Sequence, residues 1–226
     1  MLRAVIFDFD GIIVDSEPLI FRLTQDMAAL EGWTVSEEEY YRDYLALDDR
    51  GIVQHLYASH GRPMDTIRRD ELLTWKCQRY EEIIREGLPP MPGVVAFVTE
   101  MASYYPLAIA SGSLRAEIHH LLTKMGLREK FSVLATADDC QHSKPDPEVY
   151  LHAVSQLRAL PALQSLQVDE CFAIEDAPLG VVAAQAAGIK CLALTLSRPA
   201  AELQHADLIA TDFANVVMRD VQALFR

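Results

Sequence analysis

The chain has 226 residues, half of them hydrophobic and 23% charged, a balance that supports a folded core and excludes a disordered segment. With 33 acidic against 20 basic side chains its formal charge is −13, which argues against binding to a nucleic-acid backbone. No apolar run approaches the roughly 18 residues of a membrane span, and the opening residues lead into a strand-like segment and not a signal peptide, so a cytoplasmic protein is expected.

Short apolar runs predict strands over Ala4–Phe9, Pro106–Ala110, Ser132–Ala135, Cys171–Ile174, Cys191–Leu194 and Asp207–Ile209. They are continuous and not alternating, as expected of parallel strands buried on both faces. Helical patterns lie between most of them, over Leu114–Met125, Pro147–Leu157 and Ala177–Ala187, with Gly126 and Gly188 where glycine caps belong. Alternation of this kind predicts an α/β fold, a doubly wound, Rossmann-like parallel sheet.

One stretch breaks the alternation. Residues 17–88 hold 24 charged side chains, 15 acidic and 9 basic, and no strand-like run. Thr66–Arg85 carries a broad apolar stripe of Ile67, Leu72, Trp75, Tyr80, Ile83 and Ile84. This predicts an inserted all-helical domain over 17–88, with hinges at Pro18 and Pro89–Gly93, and a core domain made of 1–16 and 89–226.

Four strand ends carry chemistry. The first run ends in Asp8-Phe9-Asp10-Gly11, and residues two apart on a strand share a face. The carboxyl end of a parallel sheet is where such folds place ligands. A clustered carboxylate pair needs a cation or a shared proton, or else it merely caps a turn. The second run ends in Ser111-Gly112-Ser113, where hydroxyls and free backbone N–H groups form an anion cradle; Ser113 is equally an ordinary N-cap. In Ser143-Lys144-Pro145-Asp146-Pro147, Asp146 reads as an N-cap and Pro147 as the first helical residue. That holds Lys144 between prolines, as a fixed positive charge or as a plain surface lysine. The fourth run ends in Glu175-Asp176, acids that complete a hard-cation site with Asp8 or simply favour the start of the next helix.

The four cysteines form no CxxC pair, and Cys171 and Cys191 sit in apolar runs as expected of buried free thiols. The adjacent His119 and His120 diverge on a helix and read as surface residues.

Taken together, DFDGIIVDSE, ASGS, SKPDP and IEDAPLG resemble, in order and along the whole chain, the four motifs of the haloacid dehalogenase superfamily. The helical insertion resembles that family's cap. The resemblance implies that Asp8 is the nucleophile forming an aspartyl-phosphate, and that Asp10 is the general acid and then base. It implies a Mg²⁺ ion on the Asp8 carboxylate, the Asp10 backbone carbonyl and Asp176, with Glu175 ligating directly or through water. Ser111, Gly112 and Lys144 would hold the transferring phosphoryl group. Asp10 favours phosphoryl transfer over the dehalogenases, which lack it. Lys76, the lone lysine of 17–88, is a poor match for the phosphonate-cleaving Schiff base because it falls in a long helix.

The insertion is most similar to beta-phosphoglucomutases and to sugar-phosphate or phosphoglycolate phosphatases. Val14-Asp15-Ser16 and Ile20 depart from the mutase hinge pattern, and Leu45-Ala46-Leu47-Asp48-Asp49-Arg50-Gly51 departs from its cap loop. Asp48, Asp49 and Arg50 are candidates for substrate contacts; for the two acids a solvated helix start is the alternative. Ala177 replaces the family's usual Ser. The expectation is a Mg²⁺-dependent, monomeric phosphatase of a small phosphorylated metabolite, a sugar phosphate above all, with no nucleic-acid or membrane partner. A phosphomutase and a catalytically silent phospho-ligand-binding regulator are the alternatives.

Overall fold

The computed structural model describes residues 1–44, 47 and 49–226. In chain order the elements are β1 (Ala4–Phe7), α1 (Glu17–Leu30), a single turn α2 (Glu37–Glu39) running into a π-helical turn (Tyr40–Tyr44), α3 (Asp49–Ser59), α4 (Thr66–Ile84), α5 (Val94–Met101), β2 (Leu107–Ala110), α6 (Arg115–Lys124), β3 (Phe131–Ala135), α7 (Glu148–Arg158), β4 (Cys171–Glu175), α8 (Pro178–Ala186), β5 (Lys190–Leu194), β6 (Leu208–Ala210) and α9 (Met218–Ala223). The chain separates into two compact units, Met1–Asp15 with Leu88–Arg226, and Ser16–Gly87. Among the described residues no helix is long and apolar enough to cross a membrane.

The larger unit is a parallel six-stranded sheet in the order β3-β2-β1-β4-β5-β6. The apolar runs form these strands because every residue of β1, β2 and β4 is buried, and Glu175 at the end of β4 is the one polar residue among them. The edge strand β6 is less covered, and Ile209 is exposed. On one face Tyr150, Ala153 and Val154 of α7 and Val181 and Ala184 of α8 pack over Ile6, Ala108 and Ala173. On the other, the ring of Phe7 meets Phe97 and Phe131 edge-on. The order of strand addition reverses at β1, so the carboxyl ends of β1 and β4 lie side by side at a switch point. The pairing Phe7↔Ile174 puts Asp8 next to Glu175.

Gly126 and Gly188 follow α6 and α8 with positive φ of 70° and 81°, closing the helices where a side chain would be strained. The start of α7 differs from expectation. The helix begins at Glu148 with Pro147 before it, yet Asp146 still caps, its Oδ1 accepting from the Glu148 N–H at 2.9 Å.

Among its described residues the smaller unit has helices and connecting turns and no strand. Met27, Tyr40, Tyr44, Ile52, Leu56 and Leu72 form its core. Asp65 caps α4 by accepting from the Ile67 N–H at 3.0 Å. Ile67 itself is a correction to the expected stripe: at 70% exposure on the first turn of α4 it faces solvent, and the buried line runs through Leu72, Lys76 and Ile84. The Lys76 side chain, only 5% exposed, pairs through its ammonium with Asp49 of α3. Cys171 and Cys191 are buried thiols, whereas Cys77 is exposed and Cys140 half-buried.

Candidate active site

Three of the four predicted motifs lie at strand ends, so the sheet gathers residues far apart in sequence. Asp8 follows β1, Ser111 follows β2, and Glu175 ends β4 with Asp176 next. The Asp8 N–H donates to the Ile174 carbonyl at 2.9 Å, and the Ser111 N–H to the Ala135 carbonyl at 3.1 Å, extending the ladder into the site. Lys144, from the loop before α7, completes the group, and its peptide bond to Pro145 is cis.

The centre is a buried charge cluster. Lys144 Nζ donates to Asp8 Oδ1 at 2.7 Å and to Glu175 Oε1 at 2.6 Å. The Tyr150 hydroxyl donates to the same Oε1 at 2.7 Å, and the Asp176 N–H lies 3.2 Å from Oε2. Both oxygens of the fully buried Glu175 are therefore engaged. Ser197 Oγ donates to the Asp176 carboxylate and to its carbonyl. Gly11, at φ 76°, allows the turn that brings the backbone against Asp176; a β-carbon there would collide with that carboxylate.

Burial is the dominant influence on these groups. It raises the Asp8 carboxyl well above its ordinary range, Glu175 adds to the effect, and Lys144 opposes it. Burial and then Glu175 push Asp176 up to about 7 against the Ser197 hydroxyl and Lys144. Burial works to lower Lys144, but Asp8 and Glu175 outweigh it and hold the ammonium charged. Burial followed by Glu175 keeps the Tyr150 phenol protonated, hence a donor.

Asp8, Glu175 and Asp176 each present an oxygen within 4.8 Å of the others. Three buried carboxylates facing one ammonium leave excess negative charge, and the donors are all hard oxygens. That set suits a small divalent cation of the Mg²⁺ type. The carboxylate of Asp10 is not one of the three that converge; it turns to Ser113, while its charge still adds to the upward push on Asp176.

Ser111 is buried and its Oγ accepts from the Ser113 N–H at 3.0 Å, shaping the loop through exposed Gly112. Ser113 is not the N-cap of α6: Leu114 holds that position, and its N–H is satisfied by Glu117 at 3.2 Å. A small cavity of about 60 Å³ lies between this loop and the one bearing Lys144, lined by Ser111, Gly112, His142, Ser143 and Lys144 among others. His119 is exposed and His120 half-buried, apart from this site.

The remaining candidates belong to the helical unit. Arg50 is exposed in the first turn of α3, Asp49 is paired with Lys76, and Asp48 lies outside the described residues. Tyr150 and Ser197 were not legible from sequence. Tyr150 reads as one more apolar position of α7, and Ser197 as an ordinary loop hydroxyl; their partners are set by tertiary packing alone.

A family model described as haloacid dehalogenase-like hydrolase matches residues 5–194. Hexitol phosphatase B of Escherichia coli is 32% identical over 207 residues, covering 90% of this chain and 86% of the relative. The phosphorylated carbohydrates phosphatase of Thermotoga maritima is 30% identical over 196 residues, 84% of this chain and 83% of that one. The solved beta-phosphoglucomutase of Clostridium difficile shares the fold, with a TM-score of 0.80 at 19% identity over 100% of this chain and 97% of the other.

Proposed function

Since the chain belongs to the haloacid dehalogenase-like hydrolases and is a phosphatase of phosphorylated metabolites, we propose that it hydrolyses a sugar or sugar-alcohol phosphate through an aspartyl-phosphate on Asp8. The observation that carries this reading is the bridge of Lys144 between Asp8 and Glu175 at the ends of adjacent strands. It places a fixed cation against a buried carboxylate, the arrangement a phosphoryl group needs in order to approach a nucleophile of its own sign.

In the first half-reaction an Asp8 oxygen attacks phosphorus, the ester P–O bond breaks, and Asp10 gives its proton to the departing alkoxide. In the second, water attacks phosphorus, the Asp8–phosphorus bond breaks, and Asp10 takes a proton from that water. Lys144, the Ser111 hydroxyl and the Gly112 N–H hold the phosphoryl oxygens, the N–H groups of Ser111 and Ser113 being engaged within the fold. Glu175 and Tyr150 fix Lys144 in place from behind. Asp8, Asp176 and the Asp10 carbonyl are the residues that would hold Mg²⁺, with Glu175 orienting them, and the ion supplies neutralising charge beside the nucleophile.

We assign selection of the rest of the substrate to the helical unit Ser16–Gly87, acting as a cap, with Arg50 as its candidate contact. Val14, Ser16 and Ile20, which depart from the mutase hinge pattern, favour hydrolysis over isomerisation. The test is a panel of sugar and sugar-alcohol phosphates with Mg²⁺, scored by released phosphate. Release that stops in EDTA and returns with Mg²⁺ is expected. Release from none of them, or a rate indifferent to EDTA, would overturn the reading.

A further inference from the structure

Ser113 stands in the phosphate-binding loop, but its hydroxyl is committed elsewhere. It donates to Asp10 Oδ2 at 2.5 Å, across 103 positions of sequence. The helix that follows does not draw on it, because α6 is capped at Leu114. The backbone of Ser113 is held at both ends: its N–H donates to Ser111 Oγ at 3.0 Å, and its carbonyl accepts from the Ala137 N–H at 3.2 Å. With the backbone fixed, only the χ1 rotamer is left to set where the hydroxyl points, and the rotamer present turns it to Asp10.

Asp10, by contrast, has little else to orient it. Its backbone bridges to Val14, and the Gly11 N–H donates to the Val14 carbonyl at 2.9 Å, so the main chain is secured. The carboxylate is half-buried, outside the Asp8, Glu175 and Asp176 cluster, and the hydroxyl of Ser113 is the hydrogen-bond donor the described residues give it. A general acid works only when its proton-bearing oxygen is held within reach of the leaving group.

We propose that Ser113 is the positioning residue of Asp10: its hydroxyl holds Oδ2, so that Oδ1 is the oxygen presented to the leaving group and later to water. This rests on the phosphatase reading above and adds a residue to it. The proton on Asp10 Oδ1 goes to the leaving oxygen as its bond to phosphorus breaks, a water proton returns to Oδ1, and the Ser113 proton stays in its bond throughout. Ser113 itself touches neither phosphorus nor the leaving group.

A role confined to the leaving group has a signature that a phosphate contact or a general structural role lacks. Phenoxide is a poor leaving group and needs the proton, whereas dinitrophenolate departs without it. Initial rates of the Mg²⁺-loaded enzyme on phenyl phosphate and on dinitrophenyl phosphate therefore separate the two. Ser113→Ala is expected to lower the ratio of kcat on phenyl phosphate to kcat on dinitrophenyl phosphate by about tenfold, part of the full contribution of a general acid. KM for both esters should stay within twofold, and Ser113→Thr, which keeps the hydroxyl, should restore most of the ratio. Equal losses on the two esters, a ratio that does not move, or failure of Ser113→Thr to rescue a lowered ratio would each overturn the assignment. A wild-type enzyme that hydrolyses neither these esters nor any sugar or sugar-alcohol phosphate overturns the phosphatase reading, and this inference with it.

Discussion

Gly180, in the first turn of α8, packs so tightly on Glu175 that a β-carbon there would fall well inside 3.0 Å of its carboxylate. Ordinarily the far end of a glutamate would swing aside. Here it is fully buried and tied to Lys144, Tyr150 and the Asp176 N–H, so moving it dismantles the cluster. Gly180→Ala should destabilise the protein by about 1–3 kcal/mol, the usual cost of overpacking, in spite of alanine's better helix propensity. Chemical denaturation measures the loss of stability, and a fall in phosphate release is expected from the displaced Glu175.

Lys144 is the cation that makes three adjacent carboxylates tolerable. Replacing it with methionine keeps much of the volume and removes the charge. At neutral pH and without metal, Lys144→Met should lose about 3–5 kcal/mol, as expected when one partner of a buried ion pair is deleted. The loss should shrink as the pH falls and the stranded carboxylates take up protons. Activity should drop at least a hundredfold. Denaturation curves at several pH values together with phosphate-release rates check all three.

Asp176, pushed up to about 7 from an ordinary 3.8, makes stability depend on pH in a specific direction. A carboxyl whose folded pKa is raised binds its proton more tightly when folded. Its contribution is fully present below pH 3.8 and is lost as the pH rises through about 7. Asp8, raised by burial and by Glu175, acts in the same sense. The protein in EDTA should therefore lose thermal stability across this window, and Mg²⁺ should reverse the loss by replacing the proton. Apparent Mg²⁺ affinity should increase as pH climbs toward 7, readable by titration calorimetry at fixed ionic strength.

Asp49 and Lys76 give an asymmetric pair of variants within the helical unit. Lys76 is nearly buried at 5% exposure, while Asp49 is 55% exposed. Asp49→Ala strands a buried ammonium and should cost about 1–3 kcal/mol. Lys76→Met removes the need for the partner and should change stability by less than about 1 kcal/mol. Equal effects in the two denaturation curves would show that the ion pair is not what holds the start of α3.

The sheet was legible because its strands are buried on both faces and so spell continuous apolar runs; even the short edge strand β6 carries Leu208 and Ile209. Asp8, Lys144 and Asp176 were legible because the chemistry of the site falls at strand ends and loop starts, where sequence order and spatial order coincide. Ser113 was ambiguous: capping and site roles use the same hydroxyl, and only its distance to Asp10 separates them. Tyr150, Ser197 and Gly180 left no local trace. Each acts on a residue of another element, through a rotamer or a close approach that periodicity does not encode. Ile67 fits the helical period of its neighbours and still faces solvent, because periodicity reports which face a residue lies on and not where along the helix the cover ends.

The nucleophile is the centre of the account, and Asp8→Asn tests it with the smallest change of shape. Phosphate release by purified Asp8→Asn, compared with wild type on the same phosphorylated substrate in saturating Mg²⁺, is the direct measurement. Loss of turnover with an unchanged circular dichroism spectrum is the predicted result. Turnover equal to wild type would contradict the assignment of Asp8 and the mechanism built on it.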